Sequence, residues 1–212
     1  LIYGGSGNDT LDGNTGNDTM IGGAGNERYY VDSALDIVTE NLNEGTDWVY
    51  SYINYTLPTN VENGYIGVSG SATQLTGNDL DNGLYGSFGR ADSIVGGAGN
   101  DYLQGYQDAL VDTLVGGTGD DTYELGENEN IVESTNQGTD TVNSSITRTL
   151  ATNLENLTLA GSASIDGTGN SANNSITGNS GNNVLNGLAG ADSLSGGSGN
   201  DTYVVDNDGD VV

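Results

Sequence analysis

The sequence predicts an all-β solenoid in which short parallel strands stack coil upon coil. Residues 169–204 divide into four lines of nine residues, GNSANNSIT, GNSGNNVLN, GLAGADSLS and GGSGNDTYV. Each line begins with glycine, carries Asn or Asp at its sixth position and has a large apolar residue at its eighth. A fixed short period of this kind is typical of repeat architectures, in which each unit packs only on its neighbours.

Each nine-residue line is expected to form a turn followed by a minimal strand. Glycine and Asn or Asp in the first half accept the backbone conformations that tight turns need. The last three residues, with an apolar residue in the middle, form a strand that directs one side chain inward. One line cannot bury that side chain alone, so neighbouring lines must stack. If alternate turns fall on opposite sides, two successive lines close one coil, and each line lies under the second line after it.

Stacking brings the sixth-position residues of successive coils together among turn carbonyl groups. Carboxylate and carbonyl oxygens are hard ligands, which suit Ca²⁺ better than zinc or iron. The candidate Ca²⁺ ligands are Asp9, Asp18, Glu27, Asn82, Asp92, Asp101, Asp112, Asp121, Asn174, Asn183, Asp192 and Asp201.

The candidate ligands are not equivalent. An amide offers a neutral oxygen, so the lines led by Asn174 and Asn183 are either weak Ca²⁺ sites or purely structural. Glu27 is one methylene longer than the Asp of the other lines. The turns that precede Asp92 and Asp112 contain one and two extra residues, which are able to distort the site these two share.

Two lines match the pattern GGxGxDxUx (U apolar) at every defined position. They are GGSGNDTYV at residues 196–204 and GGAGNDYLQ at residues 96–104. In these residues the chain resembles the RTX, or repeats-in-toxin, family of haemolysin-type proteins. The resemblance implies a right-handed parallel β-roll with Ca²⁺ in its Gly/Asp-rich turns. It also implies secretion from a Gram-negative bacterium by a type I secretion system, and hence an extracellular location.

The chain alternates between nonapeptide blocks and spacers rich in predicted strands. The predicted blocks are residues 1–30, 77–124 and 169–204; the spacers are residues 31–76 and 125–168, with a truncated third spacer at residues 205–212. A longer repeat encloses the short one, because SYINYTLPTNVEN at residues 51–63 recurs as SSITRTLATNLEN at residues 144–156. We expect the spacers to continue the stack. Since the chain begins in mid-repeat and ends inside a spacer, we also expect it to be part of a longer protein.

The composition restricts the possible partners. The chain has 30 Asp and Glu but only 3 Lys and Arg, so its net charge is −27. A chain with this charge repels nucleic acid and anionic lipid headgroups, so we expect no nucleic-acid partner and no membrane insertion. It also repels itself, and only 33% of its residues are hydrophobic. Without a cation it lies close to the composition of disordered proteins, so we expect Ca²⁺ binding to drive folding.

The residue types disfavour catalysis by this chain. His, Lys and Cys are absent, which leaves no ordinary base near neutral pH and no activated nucleophile. Two alternatives to a purely structural Ca²⁺-binding region remain open. One is an adhesive array that contacts a glycan, a cell surface or ice, although the third position of the lines is too irregular to favour ice. The other is a folding or stabilising appendage of an enzyme elsewhere in the parent chain.

Three further interpretations concern the first spacer and the block ends. Asp32, Asp36 and Glu40 are spaced by four residues and could bind a further cation at the block edge. Trp48, which is replaced by Thr141 in the second module, is interpreted as spacer packing. The tyrosines in the apolar position at the end of each block are expected to fill the core: Tyr29, Tyr123 and Tyr203.

Overall fold

The computed structural model describes residues 1–71, 73–106, 108–126 and 129–212, and the only regular elements in these ranges are strands. They are β1 (Ile2–Ser6), β2 (Thr10–Asp12), β3 (Thr19–Ala24), β4 (Arg28–Val31), β5 (Ile37–Thr39), β6 (Trp48–Ser51), β7 (Tyr55–Thr56), β8 (Asn63–Ile66), β9 (Gln74–Thr76), β10 (Gly83–Tyr85), β11 (Ser93–Ala98), β12 (Tyr102–Gln104), β13 (Thr113–Thr118), β14 (Thr122–Leu125), β15 (Asn130–Val132), β16 (Thr141–Ser144), β17 (Arg148–Thr149), β18 (Asn156–Leu159), β19 (Gly167–Thr168), β20 (Ser175–Thr177), β21 (Val184–Asn186), β22 (Ser193–Ser195) and β23 (Thr202–Val204). Within the same ranges no helix is long and apolar enough to cross a membrane.

The strands stack as a two-sided parallel solenoid. The even-numbered strands β2 to β22 form one continuous sheet of 11 strands in chain order. The odd-numbered strands form three shorter sheets of 3, 5 and 4 strands. Consecutive strands therefore alternate between the two sides, and within each sheet neighbouring strands are parallel and two positions apart in chain order. The predicted all-β parallel roll is confirmed, and the spacer strands β6, β8, β16 and β18 belong to the same long sheet as the block strands.

The length of a coil differs between blocks and spacers. In the first and third blocks each coil consists of two nine-residue lines, as in the register pairs Thr10 with Arg28 and Ser175 with Ser193. In the first spacer the coil from Arg28 to Trp48 is longer than two lines, and the next coil, from Trp48 to Asn63, is shorter. The strands stay aligned because the difference in length is taken up by turns, which lie outside the core.

A narrow file of apolar side chains fills the space between the two sides. The buried residues from the eighth position of the lines are Leu11, Met20, Tyr29, Leu84, Ile94, Leu103, Leu114, Tyr123, Ile176, Leu185 and Leu194. Full burial of one such aliphatic side chain contributes about 1.5–3 kcal/mol. Tyr203 differs from the other two block-ending tyrosines, because it remains 37% exposed while Tyr29 and Tyr123 are 0% exposed.

Successive turns lie in direct contact, which explains why glycine is needed in them. Gly25 has a φ of +149°, and a Cβ atom built on it would lie 2.1 Å from the carbonyl oxygen of Gly7 one coil earlier. No side chain fits at that distance. The close contact places layers of turn carbonyl oxygens beside the sixth-position residues.

Candidate metal sites

A ladder of hydrogen bonds links the sixth-position residues of successive coils. Each of these residues follows a turn and directly precedes a strand, so its backbone N–H faces the next coil. The Asp101 N–H donates to Asp121 Oδ1 at 2.7 Å, and the Asp121 N–H donates to Asp140 Oδ1 at 2.8 Å. The same bond joins Asp18 to Asp36, Glu27 to Asp47, Asn82 to Asp101, Asp92 to Asp112, Asn174 to Asp192, Asn183 to Asp201 and Asp192 to Asp210. One oxygen of each accepting carboxylate is thus fixed by a neighbouring coil.

The second oxygen of several of these carboxylates has no hydrogen-bond donor. Among the described residues, buried oxygens without a partner include Oδ2 of Asp9, Asp101, Asp121 and Asp192. A buried charged oxygen without a partner is strongly unfavourable.

These free oxygens point toward carbonyl groups of the turns. A Cβ atom built on Gly96 would lie 2.2 Å from Asp101 Oδ2 and 2.4 Å from the carbonyl oxygen of Gly116, so the two oxygens converge above Gly96. At Gly4 the corresponding atoms are Asp9 Oδ2 at 2.9 Å and the Gly22 carbonyl oxygen at 2.7 Å. Converging carboxylate and carbonyl oxygens, with no donor to satisfy them, fit a hard divalent cation such as Ca²⁺.

In the lines with Asn at the sixth position, the side chain forms all of its hydrogen bonds within the protein and needs no cation. The Asn174 side-chain NH₂ donates to the carbonyl oxygens of Leu154 at 3.0 Å and Glu155 at 3.2 Å, one coil earlier. Its Oδ1 accepts the N–H of the residue four positions earlier at 2.7 Å. The side-chain amides of Asn82 and Asn183 likewise both donate and accept hydrogen bonds. In these lines the amide supplies the donors that the carboxylates lack.

The two lines with extra residues keep the hydrogen bond between coils, but their carboxylates accept additional hydrogen bonds from the backbone of their own turns. The Asp92 N–H still donates to Asp112 Oδ1 at 2.8 Å, so the insertions do not break the stacking. However, Asp92 Oδ2 accepts the Ser87 N–H at 2.6 Å, and Asp112 Oδ2 accepts the Tyr106 N–H at 2.9 Å. Two oxygens that correspond to the free ones elsewhere are therefore occupied by backbone donors.

Three buried carboxylates meet where the first block joins the first spacer. Glu27, Glu40 and Asp47 each offer an oxygen, and these atoms lie within 4.8 Å of one another. The Tyr29 hydroxyl donates to Glu40 Oε1. Both side-chain oxygens of Glu27, which is 1% exposed, have no hydrogen-bond partner among the described residues. A group of three carboxylates around an unpartnered buried side chain is a stronger cation site than a single pair.

The same arrangement occurs where the second block joins the second spacer. Asp121, Glu133 and Asp140 offer oxygens within 4.8 Å of one another, and the Tyr123 hydroxyl donates to Glu133 Oε1. Asp121 Oδ2 and Glu133 Oε2 are buried without a partner in the part of the chain that the structure describes. We call these two groups, Glu27/Glu40/Asp47 and Asp121/Glu133/Asp140, the junction clusters.

Burial raises the pKa of the clustered carboxyl groups. The pKa of Glu27 rises to about 7 because of burial and the nearby charge of Asp47. The pKa of Asp121 rises to about 7 through burial and the charges of its carboxylate neighbours, and burial raises the pKa of Asp101 and Asp140 to about 6. Without a cation these sites therefore hold protons close to neutral pH, whereas a bound cation would favour the charged form.

The structure also shows ladder residues that the nonapeptide pattern does not include. Asp47 and Asp140 accept sixth-position N–H groups, and Glu62 and Glu155 continue the ladder by accepting the N–H groups of Asp47 and Asp140. The signal that could have found Asp47 and Asp140 is the long repeat, since both precede the spacer strand in NEGTDWV and NQGTDTV.

The predicted cation site of Asp32, Asp36 and Glu40 is wrong. Asp36 Oδ1 accepts the Asp18 N–H, and its Oδ2 accepts the Asp32 N–H at 3.2 Å within a turn. Glu40 lies in the first junction cluster instead. Spacing by four in sequence does not bring these carboxylates together because the segment is a turn and a short strand, β5, rather than a helix.

The family profile described as the RTX calcium-binding nonapeptide repeat matches the chain in four copies, at residues 1–38, 86–123, 111–132 and 168–203. Together these segments cover more than half of the chain. The chain belongs to the RTX calcium-binding repeat family. The resemblance expected from GGSGNDTYV and GGAGNDYLQ is thus confirmed, and RTX repeats typically occur in secreted proteins.

Two relatives of this RTX chain are glycanases of Rhizobium meliloti (strain 1021). The endo-1,3-1,4-beta-glycanases ExsH and EglC are each 38% identical to it, over 93 and 94 residues respectively. Each alignment covers 43% of this chain and 20% of the relative, so the matched part of the chain spans about one fifth of these glycanases. No solved structure matches the chain.

Proposed function

We propose that this chain is a Ca²⁺-dependent folding region of a secreted bacterial protein. The observation that carries the proposal is the ladder of buried carboxylates with one oxygen fixed by a backbone N–H and the other without a donor, as at Asp101 and Asp121. Such oxygens disfavour the folded state until a cation binds them. Ca²⁺ is the cation whose ligand preference and coordination number suit carboxylates combined with turn carbonyls.

Ca²⁺ acts here as a folding switch. At low cytosolic Ca²⁺ the net charge of −27 keeps the chain expanded. At the higher concentrations outside the cell, sites of the extracellular class, with Kd of about 10⁻⁴–10⁻³ M, fill with Ca²⁺. The binding free energy then becomes folding free energy, and occupation is cooperative because each coil needs its neighbour. An expanded chain is also the form suited to export through a type I secretion channel, which we propose as its route.

The proposed ions are held by carboxylate-led lines and by the junction clusters. The proposed ligands are Asp9, Asp18, Glu27, Glu40, Asp47, Asp101, Asp121, Glu133, Asp140, Asp192 and Asp201. Asp112 binds more weakly because backbone N–H groups already occupy both of its oxygens. Asp92 joins the proposed ligands, because its buried Oδ1 has no hydrogen-bond partner among the described residues. The side-chain amides of Asn82, Asn174 and Asn183 link successive coils by hydrogen bonds and need no ion.

Replacing Asp101 by Asn tests this assignment. We expect the Asp101→Asn variant to fold, since Asn82 already occupies the equivalent position, but to bind one Ca²⁺ fewer. Counting bound ions by native mass spectrometry at saturating Ca²⁺ measures the difference. The matched control is Asp79→Asn, which removes the same charge from an exposed turn residue. An unchanged ion count for Asp101→Asn, or the same loss in both variants, would contradict the assignment.

The relatives favour a second proposal about the parent protein. We propose that this chain is attached to an enzyme that acts on a polysaccharide, and that it folds and stabilises that enzyme without taking part in the reaction. The support is the identity to two named glycanases. The test is the full-length parent protein: hydrolysis of β-glucan should survive substitution of carboxylates in the roll at saturating Ca²⁺. Loss of hydrolysis in a folded Asp101→Asn variant would contradict it.

A further inference from the structure

Aromatic rings cover part of the outer face of the long sheet. Strands β4, β6, β8, β10 and β12 carry six half-buried rings at outward positions, which we call the aromatic surface: Tyr30, Trp48, Tyr50, Tyr65, Tyr85 and Tyr102. Five contacts join them into one continuous set. The ring centroids lie 5.3 Å apart for Tyr30 and Tyr50, 5.7 Å for Tyr50 and Tyr65, 6.2 Å for Trp48 and Tyr50, 5.5 Å for Trp48 and Tyr85, and 5.7 Å for Tyr85 and Tyr102.

The second half of the same sheet shows that the fold does not require these rings. Tyr30, Tyr50, Tyr65 and Tyr85 form one row of register partners across β4, β6, β8 and β10. The equivalent row across β14, β16, β18 and β20 consists of Glu124, Asn143, Thr158 and Thr177. The strands pair in the same parallel arrangement with these polar residues. Trp48 packs on Tyr50 and Tyr85, in agreement with the spacer packing interpreted from sequence. Its counterpart in the second half is Thr141, so the fold itself does not require a ring at this position.

A shallow cavity lies at one end of the aromatic surface. It has a volume of about 370 Å³ and is lined by Tyr65, Tyr85, Tyr106, Gln104 and two glycines. Phenol hydroxyls and an amide at the rim offer hydrogen bonds beside flat apolar rings. This combination of ring faces with a few polar groups is typical of sites that bind a small organic ring system.

We propose that the aromatic surface binds a neutral β-linked polysaccharide. A β-linked glucose ring carries its hydroxyl groups around its edge and presents C–H groups on both faces, so it stacks on aromatic side chains while the edge takes hydrogen bonds. Five strands about 4.8 Å apart span about 20 Å, which accommodates several sugar rings of one chain. The net charge of −27 disfavours polyanionic polysaccharides and nucleic acid. The proposal requires the folded roll but does not rest on any particular Ca²⁺ site.

The position of Trp48, the only tryptophan, within the aromatic surface makes the test direct. The whole chain at saturating Ca²⁺ is titrated with cellohexaose while the Trp48 emission is recorded, with oligogalacturonate as the anionic probe. We expect a saturable change with cellohexaose and none with oligogalacturonate. Tyr50→Asn and Tyr65→Thr, which introduce the residues of the second half of the sheet, should each weaken binding about tenfold. Tyr3→Ser, at an exposed ring outside the long sheet, should bind like the unchanged protein.

Far-UV circular dichroism of every variant in Ca²⁺ separates loss of the fold from loss of the surface. If the folded protein gives no response to cellohexaose, or if Tyr50→Asn and Tyr65→Thr bind it as well as the unchanged protein, the proposal is overturned. Sedimentation that shows concentration-dependent dimers lost in Tyr50→Asn, with no cellohexaose response, would also overturn it and assign the surface to contact between copies of the chain.

Discussion

Replacing Glu133 by Gln and Asp140 by Asn together is expected to raise the Ca²⁺ concentration at the folding midpoint by at least about tenfold. These residues supply two of the three carboxylates of the second junction cluster, and both lie in the spacer rather than in a nonapeptide. Removing their charges leaves Asp121 as the only carboxylate of that cluster. Because coils fold cooperatively, the loss should also broaden the transition. The measurement is far-UV circular dichroism during a Ca²⁺ titration.

The same double substitution should have the opposite effect in chelator. Without a cation, the three carboxylates repel one another and raise each other's pKa, so neutral replacements relieve repulsion in the metal-free state. A purely structural role predicts destabilisation both with and without Ca²⁺. The control is Asp79→Asn with Asp208→Asn, which removes two charges from exposed turns. An unchanged Ca²⁺ midpoint for Glu133→Gln/Asp140→Asn would remove the junction cluster from the set of Ca²⁺ sites.

The metal-free protein is expected to lose stability as the pH rises from about 4 to about 7. Folding raises the pKa of Asp101 from 3.8 to about 6 and that of Asp121 to about 7. A group whose pKa is raised by folding stabilises the folded state most at pH values below its unfolded pKa, and that contribution is lost as the pH rises through the folded pKa. In chelator, the β signal in far-UV circular dichroism should therefore be larger at pH 5 than at pH 7.5, where the chain is largely unfolded.

Ca²⁺ should abolish this pH dependence. A bound ion holds the carboxylates in their charged form, and the same carboxylates are charged in the unfolded chain at both pH values, so thermal unfolding at saturating Ca²⁺ should occur at nearly the same temperature at pH 5.5 and at pH 7.5. Asp121→Asn removes one of the groups with a raised pKa and should reduce the pH dependence in chelator. The account would be contradicted by a metal-free protein that gains stability toward pH 7.5, or by a pH dependence at saturating Ca²⁺ as large as the one in chelator.

The block structure could be predicted from the sequence because it follows a fixed period. The glycine, carboxylate and apolar positions recur together in every line. One nine-residue line therefore predicts which side of the coil its strand lies on, that two lines form one coil, and that Leu11 and Met20 are buried. The sixth position of each line was likewise sufficient to predict the ladder residues Asp101 and Asp192.

The spacer coils and the junction clusters could not be predicted in this way. The spacer coils differ in length and have no common period, so the pairing of Trp48 with Asn63 depends on contacts between strands rather than on spacing. One carboxylate of each junction cluster comes from a block turn, and the other two come from the opposite ends of one spacer connection. Glu40 and Asp47 therefore have no nonapeptide around them. Whether a sixth-position residue has a free oxygen also depends on the conformation of its own turn, as the Tyr106 N–H that donates to Asp112 Oδ2 shows.

The central claim is that Ca²⁺ drives folding of the roll, and a titration monitored by far-UV circular dichroism tests it most directly. The chain is first chelated at pH 7.5 and then titrated with Ca²⁺, with Mg²⁺ at equal ionic strength as the control. We predict a largely unfolded spectrum in chelator and a cooperative gain of β signal with Ca²⁺ alone. A folded spectrum in chelator that Ca²⁺ leaves unchanged would contradict the account and would make the carboxylates simple turn-forming residues.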